Sequence, residues 1–132
     1  MFMSNLIQDS RVKKQLQKDL DVYPYELFNG SSNGTITPSD KLSNYNYIDI
    51  LCSRSDNLLP IIRIYNPIGK TFELNSTNGD ANSIYVFRTV YSITDNAITP
   101  TDKTYKYVTN GGNVGTSTSS NYFKISQVIG YK

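Results

Sequence analysis

The 132-residue sequence contains no histidine and no tryptophan, and it has a single cysteine, Cys52. Without imidazole, neither a Cys-His nor a Ser-His-Asp arrangement exists, and histidine-liganded zinc is excluded. One cysteine leaves no partner for an intrachain disulfide. It closes the run Tyr47-Ile-Asp-Ile-Leu-Cys52, where it reads as a small packed hydrophobe. No window approaches the roughly 18 apolar residues of a membrane-spanning helix, so no membrane insertion is expected. The opening Met1-Phe-Met-Ser-Asn-Leu-Ile-Gln-Asp9 lacks a basic n-region and an apolar h-region, so no secretory signal is expected. Thirteen basic against eleven acidic residues give a formal charge of +2, too small to point to nucleic acid. Neither a cofactor nor a metal is expected.

What the sequence does contain falls into two parts, 1–22 and 23–132. From about Asn5 to Leu20 the pattern is that of one short amphipathic helix, with Ser4 or Asn5 as its cap. Leu6, Val12, Leu16 and Leu20 form its stripe, while Arg11, Lys13, Lys14 and Lys18 make a solvated basic face. Asp9 and Lys13 interrupt any strict heptad, which excludes a long coiled coil. The stripe is therefore expected to serve as an oligomer contact, in a homotrimer, with some contact to the body. Pro24 ends the helical register.

Beyond Pro24 the chain turns to short β-branched and aromatic runs at 25–28, 45–52, 61–65, 71–74, 84–93, 104–109 and 122–129. Ile48, Ile50 and Cys52 alternate with Tyr47, Asp49 and Leu51. The run 84–93 is apolar on both faces except at Arg88, Thr89 and Ser92, and reads as a central strand. The last run sets Phe123, Ile125, Gln127 and Ile129 on one face and Tyr122, Lys124, Ser126 and Val128 on the other. Turn signals separate the runs: Asn29-Gly, Asn33-Gly, Asn78-Gly, Asn110-Gly and Asn66-Pro-Ile-Gly69. The expected fold is all-β, an antiparallel sandwich or barrel-like domain behind the short helix. A weak repeat, Ile36-Thr-Pro-Ser-Asp-Lys41 and Ile98-Thr-Pro-Thr-Asp-Lys103, reads as two equivalent turns.

Two motifs invite catalysis and neither holds. Ile68-Gly-Lys-Thr71 lacks the glycine that a phosphate-binding loop needs at position 64, which is Ile64, so it reads as a hairpin turn. The acids Glu26, Asp40, Asp49, Asp56, Glu73, Asp80, Asp95 and Asp102 lie mostly among Asn, Ser and Gly. None forms an evident glycosidase pair, which leaves a glycan hydrolase as an unfavoured alternative. The aromatics are more telling, with eleven tyrosines and five phenylalanines. Tyrosine offers flat apolar area with a hydroxyl handle and asparagine offers amides, a combination suited to sugar rings. The segment 104–120 is read as a ligand-contacting loop with its strand end. Tyr105 or Tyr107 is the stacking platform there, and Asn110 and Asn113 are the polar contacts.

One ordered series of segments resembles a known family. Thr35-Ile-Thr-Pro-Ser-Asp40, Asn44-Tyr-Asn-Tyr-Ile-Asp-Ile50, Tyr65-Asn-Pro-Ile-Gly-Lys70, Tyr85-Val-Phe-Arg-Thr-Val-Tyr-Ser-Ile93 and Ile125-Ser-Gln-Val-Ile-Gly-Tyr-Lys132 follow one another in a familiar order. The series resembles the C-terminal tip domains of tail-fibre and baseplate proteins from phages and prophages of Gram-positive bacteria. The resemblance implies a non-enzymatic, usually trimeric β-rich tip in the virion, made in the bacterial cytoplasm and binding host cell-wall glycan. A structural module that touches only other tail proteins is the alternative. The family supplies no fixed binding residues to transfer.

Overall fold

The computed structural model describes Arg11 and residues 24–54, 57–117 and 122–132. The predicted helix and its stripe Leu6, Val12, Leu16 and Leu20 lie outside the described residues. So does the proposed 1–22 segment, apart from Arg11.

The body is all-β, built of two antiparallel sheets. The strands are β1 (Tyr25–Ser32), β2 (Tyr47–Arg54), β3 (Asn57–Leu58), β4 (Ile62–Tyr65), β5 (Thr71–Gly79), β6 (Ser83–Ile93), β7 (Ile98–Thr109), β8 (Val114–Ser117) and β9 (Phe123–Tyr131). One 3-10 turn at Leu42–Asn44 precedes β2. The first sheet runs β1-β9-β2, and β3 and β4 share the far edge of β2. The second sheet runs β5-β6-β7-β8. The closing strand β9 is thus interior, between β1 and β2, and β6 is interior in its own sheet.

A single core lies between the sheets. Ile48, Ile50, Ile125 and Val128 of the first sheet and Tyr91, Ile93 and Ile98 of the second are all essentially inaccessible to solvent. Alternation in β2 puts Ile48, Ile50 and Cys52 inward, as the sequence implies. Burial pushes the Cys52 thiol up to about 12, so it is an inert packing residue at neutral pH.

Four sequence expectations are corrected. In β9 the buried residues are Phe123, Ile125, Val128 and Gly130, an alternation that changes phase between Ile125 and Val128. A bulge beside Leu51 and Cys52 leaves Ser126 without a register partner and reverses the inward phase. The Ser126 hydroxyl donates to the Leu51 carbonyl at 3.1 Å, which settles the extra residue in place. Second, Asn29-Gly and Asn78-Gly lie inside β1 and β5 rather than in turns. The β5–β6 reversal is made instead at Asp80, whose carboxylate accepts from the Asn82 and Ser83 amides at 2.7 and 2.8 Å.

Third, Asn66-Pro-Ile-Gly69 is no hairpin turn, because β4 and β5 belong to different sheets. It carries the chain across the core, with Asn66 and Gly69 both at positive φ. The Gly69 amide donates to the Ile93 carbonyl at 2.9 Å, which ties the crossing to the second sheet. Fourth, the repeated Ile-Thr-Pro segments are not two separate turns. They pair with each other: Ile36 N–H donates to the Ile98 carbonyl and Ile98 N–H to the Ile36 carbonyl, each at 2.9 Å. This bridge joins the stretch before β2 to the start of β7. Pro100 is tolerated two residues past this bridge because the outer side of β7 carries no continuous ladder there, β8 pairing only with Tyr105–Val108.

Gly130 marks the tightest point of the core. A Cβ at that position would lie 2.5 Å from Tyr45 Cδ1 and 2.8 Å from Leu27 Cδ1, and both neighbours are buried. Gly130→Ala is expected to lower stability by about 1–3 kcal/mol through overpacking, measured by urea denaturation. An unchanged midpoint would show that the strand end relaxes freely.

Candidate functional site

The second sheet is longer than the core it covers. Along β6, Thr89, Tyr91 and Ile93 face inward and are buried, and Phe87 packs partly against the core beside Tyr122. Beyond Phe87 the same face continues as aromatic residues outside the core cluster. Tyr85 stands opposite Tyr107, and Phe87 opposite Tyr105, on β6 and β7. The period of two along each strand puts all four on one face.

These rings form a continuous row. Tyr122 stacks on Phe87 at 3.7 Å between centroids, Phe87 on Tyr105 at 5.3 Å and Tyr105 on Tyr85 at 6.0 Å. Tyr107 adjoins Tyr105 at 5.6 Å and Tyr85 at 6.4 Å. On its far side Tyr107 lies flat over Gly115 of β8, where a Cβ would fall 2.1 Å from its Cζ. Only glycine leaves room for that ring. Arg54 extends the root of the row, its guanidinium 5.7 Å from the Tyr122 ring centre and its Nη1 donating to the Ser76 hydroxyl.

Asn110 and Asn113 do not join the rings; they build the β7–β8 turn. The Asn110 amide N–H donates to the Asn82 carbonyl at 2.7 Å, and its side chain donates to the Ala81 carbonyl at 3.3 Å. It thereby staples the two hairpin tips together. The Asn113 carbonyl accepts from the Thr109 amide at 3.0 Å, and Gly112 turns the chain at φ 78°. Much of the segment read as a loop is ordered sheet. Residues through Thr109 belong to β7 and Val114–Ser117 forms β8, while 118–120 lie outside the described residues. Of the four candidates, the structure brings Tyr105 and Tyr107 together. Sequence reasoning missed Tyr85, Phe87 and Tyr122 as their neighbours, because only the β6–β7 register aligns them.

The opposite face of this projecting sheet differs in kind. Ile84, Val108 and Val114 form a cross-strand row exposed at 58%, 46% and 72%. Nearer the body, Arg88 donates to Glu73 at 2.7 Å and to Asp102 at 2.8 Å. A shallow cavity of about 400 Å³ is lined there by Val86, Arg88, Asp102, Thr104 and Lys106. The Arg88 guanidinium, then the Asn75 amide, hold the Glu73 carboxyl below its ordinary range. Tyr45 and Asn44 do the same for Asp40, and the Ser43 amide for Asp95. A glycosidic general acid needs the opposite, a raised carboxyl. Among the described residues, no group of three or more His, Cys, Asp or Glu is placed to hold a metal ion.

No protein-family model, curated protein or solved structure matches the chain.

Proposed function

We propose that this chain is a non-enzymatic receptor-binding tip domain of a phage tail fibre or baseplate: a β-sandwich adhesin that recognises host cell-wall carbohydrate. The observation that carries the reading is the row of tyrosine rings, Tyr85, Tyr105 and Tyr107, on a sheet that extends past its own core. These half-buried rings lie outside the core cluster, and flat rings carrying hydroxyls match the C–H faces and hydroxyls of sugars.

In this reading the protein acts in the virion as a homotrimer joined through Leu6, Val12, Leu16 and Leu20, with other tail proteins as neighbours. Each sugar contact is weak, about 0.5–1.5 kcal/mol net, so adhesion depends on several copies acting together. The direct test is co-sedimentation of the purified chain with isolated cell walls of Gram-positive hosts, alongside release of reducing sugar. Binding without sugar release is expected, and release would revive the hydrolase. By light scattering, the chain is expected at three times its 14.9 kDa mass at micromolar concentration; a monomer removes the trimer from the proposal.

The aliphatic row Ile84, Val108 and Val114 favours a second reading, a structural module that contacts other tail proteins. Such a surface suits a protein partner better than a sugar. Failure to bind any wall preparation would favour that module.

A further inference from the structure

The outer face of the first sheet carries a second aromatic row. Tyr131, Tyr47 and Tyr65 stand directly opposite one another on β9, β2 and β4. The Tyr47 and Tyr131 rings stack at 4.6 Å with 13° between planes, and Tyr65 adjoins Tyr47 at 5.2 Å. Tyr65 is 57% exposed, at the open edge of the sheet.

One pleat further along, Asp49 stands opposite Arg63. The carboxylate accepts from Arg63 Nε at 2.8 Å and from Nη2 at 2.9 Å, and Asp49 is only 5% exposed. This bidentate grip fixes the guanidinium 4.5 Å from the Tyr47 ring centre. A guanidinium has five N–H donors; Asp49 takes two and the Tyr65 side chain engages the same group, which leaves up to two donors for an anion. A second cation lies close by: Lys70 Nζ donates to the Tyr65 carbonyl at 3.3 Å. Asp49 offsets one of the two charges, and Glu26 stands on the same face two strands away on β1, so the positive charge is concentrated at the β4 edge beside the exposed Tyr65 ring.

We propose that this face is a second carbohydrate subsite, selective for a pyranose bearing an anionic substituent. The sugar ring lies against Tyr65 and Tyr47, and its carboxylate or phosphate is taken by Arg63 and Lys70. Asp49 acts as a positioning residue, holding the fork in the plane where its free edge meets the anion. This inference rests on the glycan-binding reading, but it concerns a different surface.

The test compares glucose, glucuronate and glucose 6-phosphate, which share a ring and differ at one carbon, in NMR titrations of the full chain at low salt. The two anionic sugars are expected to shift the Tyr47, Tyr65 and Tyr131 rings and to bind about fivefold tighter than glucose, the scale of two exposed ion pairs. The tighter of the two identifies the source, uronate or phosphate. Tyr65→Ala should weaken all three sugars, and Lys70→Gln should erase much of the anionic preference. Neither variant strands the buried Asp49 charge, as Arg63→Gln would. Arg63→Lys keeps a cation yet loses the planar fork, and should also reduce the preference. Equal binding of glucose and the anions overturns the selectivity, and the absence of shifts at these rings overturns the subsite. Loss of wall binding in Tyr105→Ala/Tyr107→Ala, with the ring shifts here unchanged, separates this proposal from the function assigned to the other face.

Discussion

Replacing Tyr105 and Tyr107 together with alanine is expected to lower the affinity for wall polysaccharide by roughly thirtyfold per site. A sugar that covers roughly 40 Å² of each ring gains about 1 kcal/mol per ring at about 25 cal/mol/Å². Two rings give about 2 kcal/mol, which is about thirtyfold in Kd. On intact walls the loss should be larger, because a multivalent attachment multiplies each single-site deficit. The double variant should stay folded, since both rings lie outside the buried core cluster. Circular dichroism checks the fold, and calorimetry or co-sedimentation checks the binding. A folded double variant that binds as well as the parent would move the receptor site off this face. Gly115→Val offers an independent test, because its side chain would displace the Tyr107 ring without removing it.

Ile98→Ala is expected to destabilise the protein by about 2–5 kcal/mol, the range for deleting buried methyl and methylene groups where a cavity remains. Ile98 has no solvent exposure, and its backbone exchanges two hydrogen bonds with Ile36, itself buried. Its side chain therefore fills the core where the stretch before β2 is stitched to the second sheet. At roughly 4 °C per kcal/mol for a chain of this size, the melting temperature should fall by roughly 8–20 °C. Ile98→Val should cost only about 0.5–1.5 kcal/mol. A loss below about 1 kcal/mol for the alanine variant would mean that the core collapses around the gap and that the stitch carries little of the stability.

Strand identity was legible along most of the body because β-branched and aromatic runs alternate with turn residues, and that information is local. Ile48, Ile50 and Cys52 show their inward phase in the sequence, and the structure buries all three. The central place of β6 is also readable, although for a different reason than full burial. One of its faces meets the core near Tyr91, while the other leaves Ile84 and Val86 exposed. Strand ends were harder. β5 continues from Leu74 to Gly79 through Asn and Thr, residues that look like a turn until β6 pairs with them.

By itself, then, the sequence determined an all-β body, a lone cysteine packed as a small hydrophobe and a tyrosine supply far beyond the needs of so small a core. Each of these follows from composition or from a period of two, which neighbouring residues carry between them. The tertiary structure alone decided which tyrosines stand together. Tyr85 meets Tyr107, and Tyr47 meets Tyr131 and Tyr65, through pairings between strands distant in sequence. It also decided that Asp49 is buried on an outward face because Arg63 covers it, and that Asn110 builds a turn rather than contacting the rings. The physical reason is the same in each case: register is set by bulges and by competition for one core, so a single residue such as Ser126 changes which side chains share a face.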